Sequence, residues 1–331
     1  MHRRAFVAGG MTVLGTLTEC RVARAQSSRK VYRIGMLSVG SSTADMAGPQ
    51  PRNPTTSSLL IGLREPGYVY GEHFVTEGRS PEGQVERFPS LVAELVRLQV
   101  DVIVAAGPAL AALKQGASTI PVVMAGAEDP VGLGVVKSLA RPGTNFTGLS
   151  NQAVELTVKR LELLKEIVPG GAPVAVLWDP GSLLSWKASN TAAQQRGWKL
   201  LSFEVRDIGE IEAAIKAATE ARAGALLPVG GLVFRHARRI GELAARGRLP
   251  AIYSSRLQVG DEGLISYGAD LNLIWRRAAV FVDRIFKGAQ PADLPVEQPT
   301  TFEFVINLKT AKALGLAIPP SVLARADEVI Q

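Results

Sequence analysis

Short apolar runs alternate with amphipathic helical stretches along the body of this sequence. That alternation restricts the chain to an α/β architecture built on parallel sheets with helices on both faces. The runs 31–37, 100–105 and 120–124 are almost wholly apolar, as strands covered on both faces must be. Residues 71–77 alternate apolar and polar and read as a further strand. Helices are expected at 55–65, at 82–98 with Phe88, Leu91, Val92 and Leu95 on one face, and briefly at 107–114. After Ser150 the rhythm restarts. Helices are expected at 155–168, 187–196, 208–221 and 234–246, with strands at 174–177, 199–205, 225–227 and 251–253. The sequence therefore encodes two α/β lobes, each a doubly wound parallel sheet.

The stretch 121–150 joins them. A strand at 122–124 breaks at Gly126, turns through Glu128-Asp129-Pro130, and is expected to become an amphipathic helix over 131–139. Arg141-Pro142-Gly143 stops that helix, and a strand at 146–149 leaves in a new direction. A strand at 263–267, a helix at 271–287, a linker at 291–299 and a strand at 301–306 follow, with short helices at 310–314 and 320–326. The chain is expected to re-cross near Ser254 and near Pro291. That assigns 26–148 plus 254–290 to lobe 1 and 149–253 plus 291–331 to lobe 2. Several connecting strands make a hinge, and the cleft lies where the strands' carboxyl ends face each other.

The first 25 residues have a different character. His2-Arg3-Arg4 is a basic start, 5–17 is an apolar run of small residues, and Ala23-Arg24-Ala25 is an A-x-A cleavage site. This order is that of a secretory signal peptide cleaved after Ala25, which places the mature protein in the periplasm. Paired arginines occur in both Sec and twin-arginine signals, so the export route stays open. Cys20, the one cysteine, lies in the signal behind Leu17-Thr18-Glu19, an unfit context for lipidation, so no lipoprotein is expected. A mature chain without cysteine cannot use thiolate metal sites or a cysteine nucleophile. Losing Arg3, Arg4, Arg21, Arg24 and Glu19 lowers the formal net charge from +7 to +4. The densest basic run, Arg235-His236-Ala237-Arg238-Arg239, has no interleaved aromatics, so it reads as a solvated helix face and nucleic acid is not an expected partner.

No catalytic constellation stands out. Outside the signal only His73 and His236 remain, in unrelated contexts, and there is no G-x-S-x-G elbow or H-E-x-x-H pair. Gly132-Leu133-Gly134 fails the dinucleotide fingerprint at its third glycine, and no phosphate-binding P-loop exists. The expectation is a binding protein, not an enzyme, with no cofactor or metal.

Several segments carry a family resemblance when taken in order. They are Gly62-Leu63-Arg64-Glu65-Pro66-Gly67-Tyr68, Asp101-Val102-Ile103-Val104-Ala105, Asp129-Pro130-Val131-Gly132-Leu133-Gly134 with Leu139-Ala140-Arg141-Pro142-Gly143, Lys159-Arg160-Leu161-Glu162-Leu163-Leu164, Pro250-Ala251-Ile252-Tyr253, and 302–312. The whole mature chain resembles the substrate-binding proteins of bacterial ABC importers, and more narrowly their tryptophan/tyrosine-type branch. The resemblance implies the type I periplasmic-binding-protein fold, a venus-flytrap that closes on a small organic solute, often an amino acid or aromatic compound. It also implies delivery to a membrane permease coupled to a separate ATPase, by a monomeric receptor. A sensor passing its ligand signal to a membrane partner is the alternative, and a periplasmic enzyme a more distant one.

The chemistry of such a ligand selects the candidate residues. An anionic end suits backbone N–H groups where loops open helices, around Ser38 and Gly40, Gly107 and Ala109, and Gly126. An ammonium needs a desolvated carboxylate, for which Asp129 and Asp270 stand first and Glu128 behind them. Asp129 and Asp270 could equally be helix N-caps. Trp178, Tyr253 and Tyr267 could stack on a flat ligand, or could simply sit at sheet edges. Ser182 and Gly230 lie in loops expected to face the cleft. Trp186, Trp198 and Trp275 are expected to pack.

Overall fold

A computed structural model of the chain describes residues 30–39, 41–117, 119–168, 171–260 and 263–331. The expected signal peptide and its cleavage site lie outside the described residues, as does Gly40. Val31–Gln331 forms one compact unit.

The first lobe begins with β1 (Tyr32–Leu37), α1 (Pro54–Arg64), β2 (Phe74–Arg79), α2 (Phe88–Arg97), β3 (Val102–Ala105), α3 (Ala109–Gly116), β4 (Val122–Ala127) and β5 (Phe146–Ser150). The strands form one parallel sheet in the order β2-β1-β3-β4-β5. β3, β4 and β5 are buried at every position, which is why the runs of β3 and β4 carry no polar alternation. Helix starts follow local rules. Asn53 caps α1 by accepting the Thr56 N–H at 2.8 Å, with Pro54 in the first turn.

The second lobe continues with α4 (Ala153–Ile167), β6 (Val174–Trp178), α5 (Leu183–Gln195), β7 (Leu200–Glu204), α6 (Ile208–Glu220), β8 (Ala225–Val229), α7 (Gly231–Arg235), α8 (Ala237–Arg246), β9 (Ile252–Tyr253) and β10 (Ile265–Gly268). α9 (Leu271–Phe286) then packs on α1 in the first lobe's core, beside Leu59, Leu63 and Val104. β11 (Glu303–Asn307), α10 (Leu308–Leu314), α11 (Pro320–Leu323) and β12 (Glu328–Ile330) complete the second lobe. Its strands form the groups β7-β6-β8 and β9-β10-β11-β12, joined by a parallel bridge between Leu226 and Ala251. Each sheet is covered by apolar clusters on both faces.

The structure departs from the expectations in several places, among them the helix expected at 234–246, which is two helices broken at His236. The crossing expected near Ser254 falls after Gly268, because β10 pairs with β9 and β11. The crossing expected near Pro291 falls beyond Glu297, whose backbone bonds to Gly148 and Ser150 in the first lobe. Since the chain leaves the second lobe along β10 and returns along β11, that one strand pair is antiparallel. Finally, the helix expected at 131–139 does not form. One turn closes with the Leu133 N–H donating to the Asp129 carbonyl, and Gly134 then enters the left-handed region at φ 64°, which ends it.

Candidate functional site

The carboxyl ends of β1, β3 and β4 and those of β6 and β8 point at one another, and the contacts there include those of Glu128, Gly231 and Arg235. Glu128, just past β4, accepts a hydrogen bond from Ser185 Oγ on α5 of the other lobe. Gly231, the first residue of α7, sits against Pro108 and Val39; a Cβ on it would lie 3.4 Å from the proline ring. Arg235, at the end of α7, reaches the carbonyl oxygen of Gly83 beyond β2, with Nη2 donating at 3.4 Å.

Glu128 and Asp179 are the perturbed acids of this layer. Burial pushes the Glu128 carboxyl above the ordinary 4.5, the hydrogen bond from Ser185 opposes that, and the Asp179 carboxylate of the facing lobe pushes it further up. Asp179, 7% exposed, is also raised by burial, against hydrogen bonds from the Leu232 and Gly181 N–H groups. Its Oδ2 accepts the Leu232 N–H at 2.8 Å, tying the loop after β6 to the loop after β8. Gly230 makes that tie possible. It sits at φ 116°, and a Cβ would fall 2.3 Å from the Asp179 oxygen.

Arg160 on α4 is buried behind this layer at 1% exposure. It donates from Nη1 to the Tyr267 carbonyl at 3.1 Å, just before the second crossing, and from Nη2 to Thr157. Burial brings its guanidinium down to about 10, and the Glu128 charge acts in the opposite sense. At neutral pH it stays charged and serves as Glu128's buried counter-charge.

The other expected site residues take structural positions. Asp129 Oδ1 accepts the Gly132 N–H at 2.8 Å, and Asp270 Oδ1 accepts the Asn272 N–H at 2.8 Å as the N-cap of α9. Trp178 stacks on Trp186 at 5.8 Å and donates Nε1 to Ser202 at 2.9 Å. Tyr253 is fully buried in the second lobe's core, and Tyr267 packs edge-on to Phe304 at 5.8 Å. Ser182 Oγ bonds to the Asp179 and Val229 carbonyls, holding its loop closed. Ser38 is buried just past β1 and Ala109 is buried as the first residue of α3, and Gly107 faces open space at φ 62°. Gly126 faces Asn151 and Ile274. Of the three loops expected to open helices, only the one at Gly107 leads directly into an α-helix.

Ser185, Arg160, Gly231 and Arg235 were not among the expected site residues. For Ser185 a signal existed: Ser182, Ser185 and Ser189 follow helical spacing and are all essentially buried, but the helix starts at Leu183, four residues earlier than its pattern suggested. Among the described residues no group of three or more His, Cys, Asp or Glu could hold a metal ion, and no helix is long and apolar enough to cross a membrane.

Comparison with known proteins gives a consistent picture. A family model described as "ABC transporter substrate binding protein" matches residues 51–330. A "Tyrosine-binding protein" of Clostridioides difficile (strain R20291) is 24% identical over 263 residues, spanning 78% of this chain and 75% of that protein. The crystal structure of an ABC domain from Streptococcus pneumoniae in complex with L-Trp is 26% identical, with TM-score 0.80 over 91% of this chain and 100% of that one. A conserved domain protein from Vibrio cholerae O1 biovar El Tor is 26% identical, with TM-score 0.82 and the same coverage.

Proposed function

The chain belongs to the ABC transporter substrate-binding protein family, and from that premise we propose that its two lobes close on an aromatic α-amino acid and deliver it to a membrane permease served by a separate ATPase. The observation that carries this reading is Glu128. It is a half-buried, partly desolvated carboxylate at the meeting of the lobes, with a serine of the facing lobe as its hydrogen-bond donor and a buried carboxylate, Asp179, near enough to raise it. Two acids desolvated together call for a cation between them, and a ligand ammonium is one. Arg160 and Arg235 moderate this pair from behind and do not replace such a cation.

The relatives support the aromatic side chain, since one is crystallised with L-Trp and one is named for tyrosine. Proteins of this family work outside the cytoplasm, and a leader cleaved after Ala25 would bring this one there. Ligand binding across the cleft favours the closed state by the difference between its affinities for the two states, and the closed form is what a permease would recognise.

The test uses protein expressed with its own leader and recovered from the periplasm, with its N-terminus expected at Gln26. L-Trp or L-Tyr at about a hundredfold excess over its Kd should stabilise the fold by ~2.7 kcal/mol, a rise of several degrees in Tm. Correctly folded protein whose melting is unmoved by L-Trp, L-Tyr and L-Phe would overturn the aromatic amino-acid reading.

A further inference from the structure

Arg235 opens the densest basic run of the sequence, yet it does not behave as part of a solvated helix face. Arg239, one turn further on, does: it pairs with Glu212 and Glu242 at the surface. Arg235 instead crosses to the first lobe, where its one hydrogen bond among the described residues, Nη2 to the Gly83 carbonyl, is at the long limit of such a bond. Its Nε and Nη1 are buried and have no acceptor among the described residues.

The neighbouring acids do not supply one. Asp179 holds the loops of its own lobe through the Leu232 and Gly181 N–H groups. Glu86, on the first lobe, acts on Arg235 through charge, but neither acid forms an ion pair with it among the described residues. A guanidinium cannot escape this by losing its proton. Buried charged donors without acceptors are costly, so an anion brought to this point gains more than it would at a solvated arginine. Arg235 lies within the charge field of Asp179, which in turn acts on Glu128, so a positive and a negative pole share one interlobe layer.

We propose that Arg235 receives the carboxylate of the ligand. This rests on the cleft being the ligand site, and it deepens the amino-acid reading by giving the ligand's negative end a partner. The decisive measurement is calorimetric binding of two matched pairs, L-tryptophan with L-tryptophanamide and benzoate with benzamide, to wild type, R235Q and R235K. Wild type should prefer the carboxylate of a pair. R235Q should lose carboxylate affinity by about tenfold to a hundredfold with its amide affinity unchanged, and R235K should lose less.

If R235Q binds carboxylates as wild type does, the inference fails. It also fails if carboxylates and amides weaken together, because that marks a contact needed only for closure. Should R235Q not fold, R235K carries the same test through the same comparison. Wild type that binds benzoate but no amino acid would sink the amino-acid reading and leave Arg235 to be judged on the benzoate pair. Wild type that binds no carboxylate at all would sink both.

Discussion

Glu128 and Asp129 are neighbours of the same chemical type, and their surroundings separate them. Asp129 spends its carboxylate on the N–H of Gly132 in its own turn. Glu128 points between the lobes, where burial holds its proton above the ordinary range. The folded, ligand-free protein thus keeps that proton at a pH where the unfolded chain has released it. The stability this group contributes is full below its unfolded value, near 4.5, and is lost as pH rises through the higher folded value. Glu128→Gln cannot ionise and should escape the loss. Melting of the ligand-free variant relative to wild type should therefore improve steadily as pH is raised from about 4.5 toward neutrality. At neutral pH the same variant should bind an aromatic amino acid about tenfold to a hundredfold more weakly, as expected for losing a charge-assisted hydrogen bond. A melting difference that does not change with pH would mean that Glu128 is not the desolvated acid described here.

At the scale of elements, α1 packs closely on α9, and Gly62 permits it. A Cβ at this position would lie 2.4 Å from the Arg276 carbonyl oxygen and 2.8 Å from the Ala279 Cβ. The obstructing atoms are backbone and a helix Cβ, neither of which can swing aside. Gly62→Ala gains about 1 kcal/mol of helix propensity, but forcing the helices apart costs about 1–3 kcal/mol, and the second effect should win. Its Tm should fall by several degrees while ligand affinity holds, because α1 and α9 both belong to the first lobe. An unchanged or raised Tm would show that the pair can separate freely. The boundaries of α6 were legible, where Asp207 caps the helix, while α1 starts at Pro54 behind an Asn53 cap, a residue or two before the Thr55 or Thr56 cap that the sequence suggests. The stretch 131–139 was misread, since apolar spacing suggested a helix and the left-handed Gly134 stops the chain after one turn.

At the scale of the whole molecule, Gly231 is one of the points where the lobes meet, packed against Pro108 and Val39. A methyl group there would make ordinary contact with Pro108 at 3.4 Å, so Gly231→Ala should be tolerated. Gly231→Leu would act as a wedge between α7 and the loop after β3. The wedge should weaken ligand binding by about tenfold or more, since ~1.4 kcal/mol against the closed state suffices. The ligand-free Tm should stay near that of wild type, and small-angle scattering should show a larger radius of gyration with ligand present. Equal affinity for the two proteins would mean that closure does not pass through this contact.

The sequence by itself determined the α/β alternation, the two lobes, and a family resemblance spread along the mature chain. These rest on apolar periodicity, caps and breakers, all of which act within a few residues of one another. Only the tertiary structure decided which acid lies desolvated, which arginine of a basic run turns inward, and that Tyr253 and Trp178 pack within their own lobe. Burial and charge at the cleft come from groups far apart in the chain: Ser185 meets Glu128 across 57 residues, and Arg235 meets Gly83 across 152. No local pattern in the sequence records such a meeting, because the free energy of a buried charge is set by what surrounds it after folding.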